Sequence, residues 1–101
     1  MGARLITHLR HVDFAVPDYE TSPLFSAREK ACMAYADAAT ATPPRVTDEQ
    51  VEALRADLGE AGLVELTFLV ALENHRSRTN HSLGITAQGF TDAAVCALPT
   101  R

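Results

Sequence analysis

Two adjacent prolines, Pro43 and Pro44, lie between two helix-start signatures, and this arrangement sets how the chain can fold. Each proline lacks a backbone donor and disfavours α geometry at the residue before it. A helix running into them must therefore stop by Ala41 or Thr42. Upstream, Ser26-Ala-Arg-Glu29 is a capping-box pattern: the serine hydroxyl can accept from the third helical N–H while Glu29 reaches back. The helix formers of Ala31–Ala39 follow, so a helix is predicted over about 26–41, with Ala31, Tyr35, Ala38 and the flanking Cys32 and Ala39 on one face. Downstream, Thr47-Asp-Glu-Gln50 is a second capping box, and Val46 and Val51 have hydrophobic-staple spacing. Val51, Leu54 and Leu58 form an apolar stripe, and Gly59 is the expected stop of a helix over 47–58.

A third helix is predicted over 60–83, with Gly84 in the left-handed position beyond it and Ile85 supplying the apolar contact. Its first half, Leu63–Leu72, is apolar almost all round and needs cover on several sides. The two preceding helices are too short and too one-faced to supply it, so a second copy or a companion chain is expected over 60–83. From Glu73 to Ser82 the pattern turns polar. Thr91 to Leu98 suits a last short helix capped by Thr91 and ended by Pro99. The opening segment fits two patterns: Leu5, Ile6, Leu9 and Val12 suit a short amphipathic helix, while Val12, Phe14 and Val16 alternate like a strand. It is expected to start helix-like or frayed and then run extended, as a lead segment over 1–25 before a helical domain over 26–98.

At 101 residues the chain has the length of one domain. Seventeen alanines, no tryptophan and six other aromatic residues predict an all-α fold with a thin core, because alanine favours helix but buries little area. Thin cores on short chains usually lean on a partner or a cofactor. Thirteen acids against nine bases give a net charge of −4, which argues against a nucleic-acid partner. The run Leu63–Leu72 is about half a membrane span, and Met1–Leu9 has no long apolar stretch, so neither a membrane anchor nor an export signal is expected. Cys32 and Cys96 are then expected as free thiols in a reducing cytoplasm.

Few residues here suit chemistry. Glu73, Ser77, Asn80 and His81 fall roughly on one helical face, with Asn74 and Arg78 on another. Glu73 and His81 could do acid–base work, with His75 nearby, but two turns separate them, and a hydrogen-bonded rim or subunit contact is the plainer reading. Cys32 lies among alanines and suits a small buried apolar residue better than a reactive thiol, since Glu29 would oppose a thiolate. His8 and His11 are spaced for two metal ligands, yet a third is not evident. No metal and no cofactor are called for. Glu73, His81 and Cys32 are the catalytic candidates, none of them strong.

The order of pieces is nonetheless distinctive. Pro23-Leu-Phe-Ser-Ala-Arg-Glu-Lys-Ala31, Tyr35-Ala-Asp-Ala-Ala-Thr40 and Thr42-Pro-Pro-Arg-Val-Thr-Asp-Glu49, then Leu63-Val-Glu-Leu-Thr67, Ala71-Leu-Glu-Asn74, Arg76-Ser-Arg78, Asn80, Leu83-Gly84 and Gln88-Gly-Phe90, resemble the latter half of carboxymuconolactone decarboxylase-like proteins. That family includes the alkylhydroperoxidase D-like enzymes. The resemblance implies an all-helical fold, homo-oligomeric assembly and a peroxiredoxin-type antioxidant context. The family's redox branch uses a C-x-x-C pair on an earlier helix, and no such pair occurs here: Cys32 and Cys96 do not correspond to it, nor do Glu73 and His81 match its catalytic motif. The chain is therefore expected to be a family member without its catalytic half. The alternative is a non-catalytic helical subunit that binds itself or a partner. A small enzyme using Glu73, His75 and His81 is a third reading.

Overall fold

The computed structural model describes residues 15–86. Their fold is all-helical: a 3₁₀ turn at Val16–Asp18, α1 at Ala27–Thr40 and α2 at Asp48–Leu83, with no strand among the described residues. Ser26 caps α1 as its sequence predicts, its hydroxyl accepting from the Glu29 N–H at 3.1 Å. The reciprocal arm differs from the expected box, because the Glu29 carboxylate accepts from the Ser26 hydroxyl at 3.2 Å. At the other end α1 stops at Thr40, and the prolines follow, Pro43 through a cis bond. The Arg45 N–H donates back to the Ala38 carbonyl at 2.9 Å, folding the connection onto the helix end. The second capping box forms in full: the Thr47 hydroxyl accepts from the Gln50 N–H, and the Gln50 side chain accepts from the Thr47 N–H.

The expectation of three main helices is corrected to two. α2 runs from Asp48 to Leu83 as one element, and Gly59, with φ 78° and ψ 169°, breaks it into two helical segments at the position where the sequence predicts a stop. The helix resumes beyond it without an intervening loop, because Gly59 alone absorbs the departure from helical dihedrals. Arg55 pairs across the bend with Glu60 at 2.8 Å and also with Glu52. The far terminus is a Schellman motif on Gly84 (φ 68°): its N–H donates to the His81 carbonyl, and that of Ile85 to the Asn80 carbonyl at 2.8 Å. Ile85 stays 53% exposed, so the predicted apolar contact covers little of it.

α1 packs along α2 on Tyr35, Leu54 and Leu63, with Cys32, Val46, Val51, Leu58 and Leu66 half-buried around them. Ala31, expected on this face, is exposed. No described side chain is fully enclosed, so the core is thin in fact. Because the Thr67 hydroxyl donates to the Leu63 carbonyl at 2.8 Å, the Tyr35 hydroxyl must donate to Thr67, also at 2.8 Å. Arg28 joins the start of α1 to Asp57 through two bonds of 2.8 and 2.9 Å. That pair is solvent-exposed and contributes little.

The segment before α1 is not extended, as its sequence suggested, but turns through Val16–Asp18 and buries Tyr19 and Phe25. Pro17 sits inside the first turn, where a missing N–H costs nothing. The remaining reading of residues 1–14, the histidine pair at His8 and His11, Cys96 and the helix over 91–98 lie outside the described residues.

Tyr19 donates from its hydroxyl to Asp37 at 2.9 Å, fixing this segment on α1. Burial first, then that hydrogen bond, push the phenol up from 10.0 to about 12. The folded value lies above the unfolded one, so the neutral phenol's contribution is full below pH 10.0 and is lost as pH rises through about 12. Urea midpoints measured across that window should fall for the native chain and fall less for Tyr19→Phe. Parallel alkaline profiles would refute the assignment.

Candidate functional site

The polar half of α2 meets the end of α1 through Asn74 and Arg78. The Asn74 amide donates to the Thr40 hydroxyl at 2.9 Å and to the Val70 carbonyl, also at 2.9 Å. The Arg78 guanidinium reaches the Thr40 carbonyl and the Thr42 hydroxyl, both at 3.5 Å, at the end of α1 where the helix dipole favours a cation. These two side chains stand where two hollows join. One, of about 480 Å³, is mostly apolar, with Ala39, Pro44, Val70 and Ala71 in its walls. The other, of about 510 Å³, is mixed in surface, with the polar residues Thr40, Ser77, His81 and Ser82 around it. Together they make one open groove with an apolar end and a mixed end.

The catalytic candidates separate. His81 lies in the mixed hollow beside Ser77, whereas Glu73 turns to a neighbouring face and pairs with Arg76 at 3.1 Å. The expected grouping of Glu73, Ser77, Asn80 and His81 is thereby split. Ser77 and His81 join Asn74 and Arg78, because positions 74, 77, 78 and 81 fall within one arc of the helix. Cys32 is half-buried against the core cluster, away from both hollows, as the small-apolar reading holds. Among the described residues no cluster of three His, Cys, Asp or Glu side chains could hold a metal.

A third hollow, of about 310 Å³, is walled by Tyr19, Glu20, Asp37 and Arg45, with the Tyr19 hydroxyl donating to Asp37 across it. The side of α2 turned away from α1 is apolar and open: Val64 is 59% exposed and Phe68 64%, with Leu69 beside them. No described helix is long and apolar enough to cross a membrane.

With this geometry in view, comparison with known proteins is informative in one respect. The uncharacterised protein YnjA of Escherichia coli K12 is 40% identical over 87 residues, spanning 86% of this chain and 45% of the relative. The chain thus spans less than half the length of the curated relative it matches. No protein-family model matches the sequence. No solved structure matches it either.

The sequence marks Asn74 and Arg78 as sharing a face without placing them in a site, and it marks Pro44 only as a helix stop. Recurrence of small or polar residues at Thr67, Ala71, Asn74, Arg78 and His81 was a usable signal for the groove side of α2. That α1 would end against this row depends on how the helices dock, which no local pattern specifies.

Proposed function

We propose that the chain is a carboxymuconolactone decarboxylase-like helical domain that acts by binding a protein partner, a second copy of itself before any other, and lacks a peroxidase centre of its own. The outer face of α2 carries this reading. Val64, Phe68 and Leu69 are all about half exposed or more, while Leu63 and Leu66 on the inner face are covered by α1. A contiguous exposed apolar ridge of this kind marks an interaction surface.

The charges beside the ridge favour a second copy. Glu65 lies within the ridge beside Val64, and His75 and Arg76 follow it on the outer side. Two copies laid antiparallel, with the two-fold axis at the level of Val70, set Glu65 of each chain beside His75 and Arg76 of the other. Phe68 then packs on Leu72 across the axis. The family reading draws its support from the string of matched segments between Ser22 and Asp92. The absence of a C-x-x-C pair from these 101 residues supports the non-redox reading of this chain.

Sedimentation of the purified chain at micromolar concentration tests both parts. The expected result is a dimer or larger species, converted to monomer by Phe68→Glu without loss of helical signal. The same preparation should reduce no peroxide with a thiol donor above the level of its Cys32→Ser variant. A compact monomer, or turnover that depends on Cys32, would overturn the proposal.

A further inference from the structure

Arg78 is set in unusual surroundings for this chain. The formal charge is −4, and of the five described arginines Arg28, Arg55 and Arg76 each hold a carboxylate, while Arg45 lines a hollow with Glu20 and Asp37. Arg78 has no carboxylate partner among the described residues, and no Asp or Glu lines either hollow of the groove it divides. Its contacts to Thr40 and Thr42 are at 3.5 Å, long for a guanidinium bond, so they orient the head without using its capacity.

Around it the donors face one way and the apolar surface the other. Ser77 and His81 lie on the polar side, where a hydroxyl and an imidazole can add hydrogen bonds to an anion that Arg78 holds. Ala39, Pro44, Val70 and Ala71 form the other side, which suits a short hydrocarbon body. Both hollows are open, with room for a small ligand held at the surface.

We propose that this groove binds a small amphiphilic organic anion, its charged head on Arg78 towards Ser77 and His81 and its apolar body against Val70, Ala71 and Pro44. The site lies on the α1-facing side of α2 and meets the apolar ridge only at its edge, where Ala71 stands one turn beyond Phe68. Arg78 serves as the anchor of the head group, and the end of α1 serves as the wall that gives the body its direction. A carboxylate and a phosphate monoester share this chemistry, and the probes separate them.

Hexanoate titrated into the ¹⁵N-labelled chain should give saturable amide shifts concentrated on Val70–Ser82 and Ala39–Pro44, with affinity in the millimolar range. Hexyl phosphate binding more tightly than hexanoate would identify the phosphate as the preferred head. Hexanol and acetate should bind far more weakly, because each lacks one end of the ligand. Arg78→Gln should weaken hexanoate by about tenfold or more, as expected for a charge-assisted bond, while Arg28→Gln, in an exposed pair at the far end of α1, should not.

Arg78 also contacts the end of α1, so Ser77→Asp provides a second variant. It sets a carboxylate in the groove at an exposed helical position with no hydrogen bond to lose among the described residues. It should abolish binding while leaving the helical signal unchanged. Non-saturating shifts, equal response to hexanol and hexanoate, or full binding by folded Arg78→Gln or Ser77→Asp would overturn the proposal.

Discussion

Leu54→Ala is expected to destabilise the fold by about 2–5 kcal/mol, the range for truncating a leucine in a core that cannot collapse around the gap. Leu54 is the most buried side chain described, at 3% exposed, and it is one of three residues that form the cluster between α1 and α2. Its neighbours cannot compensate. Tyr35 is held by its bond to Thr67, and Leu63 follows the bend at Gly59 in the same helix. A domain of this size has a net stability towards the low end of about 5–15 kcal/mol, so one such loss removes much of it. Urea unfolding followed by circular dichroism measures the change. It must be run at one protein concentration, because assembly through the outer face of α2 would add to apparent stability. Val64→Ala, at a 59% exposed position, serves as the comparison and should change little in the monomer. A Leu54→Ala chain as stable as Val64→Ala would show that the core does not lie around Tyr35, Leu54 and Leu63.

The same contrast explains what the sequence could and could not reveal. Punctuation was legible, because a cap or a terminator acts on its own backbone within a few residues. Ser26, Thr47 with Gln50, the two prolines and Gly84 each fix a boundary through bonds that need no distant partner. The stripe of Val51, Leu54 and Leu58 was legible for a related reason, since helical period alone puts those residues on one side, whereas Leu63 joins Leu54 only through the break at Gly59. Gly59 was legible as an anomaly but not as a bend, because a glycine beyond an apolar stripe signals a stop equally well. The groove was least visible. Its two walls, Ala39–Pro44 and Val70–Ser82, are remote in sequence and meet only after Tyr35 has docked on α2. Arg78 looked like one of several surface arginines until its surroundings proved free of carboxylates among the described residues. The exposure of Phe68 follows from the same docking: α1 is short and straight, and it covers one side of a helix whose apolar residues continue round to the other.

Gly59→Ala and Gly62→Ala are expected to destabilise the chain, and their signs test the bend in α2 directly. At Gly59 an added Cβ would meet no atom within 4 Å, so crowding plays no part. What remains is backbone strain, because φ 78° with ψ 169° is a region that residues with a side chain avoid. The cost should be about 1–3 kcal/mol. At Gly62 the reason is different. Its dihedrals are helical, but an added Cβ would lie 2.9 Å from the Leu58 Cβ. In a straight helix, side chains four apart keep their Cβ atoms about 5–6 Å from one another. The bend has brought Leu58 down onto the place where a Gly62 side chain would stand, so glycine is required there as a consequence of Gly59. Were α2 straight, both substitutions would instead stabilise it by up to about 1 kcal/mol, since alanine is the better helix former. Urea midpoints of the two variants therefore separate the geometries by sign. Losses at both positions establish the bend, while gains at both would require α2 to run straight through Gly59 and would move Leu63 away from Leu54 and Tyr35.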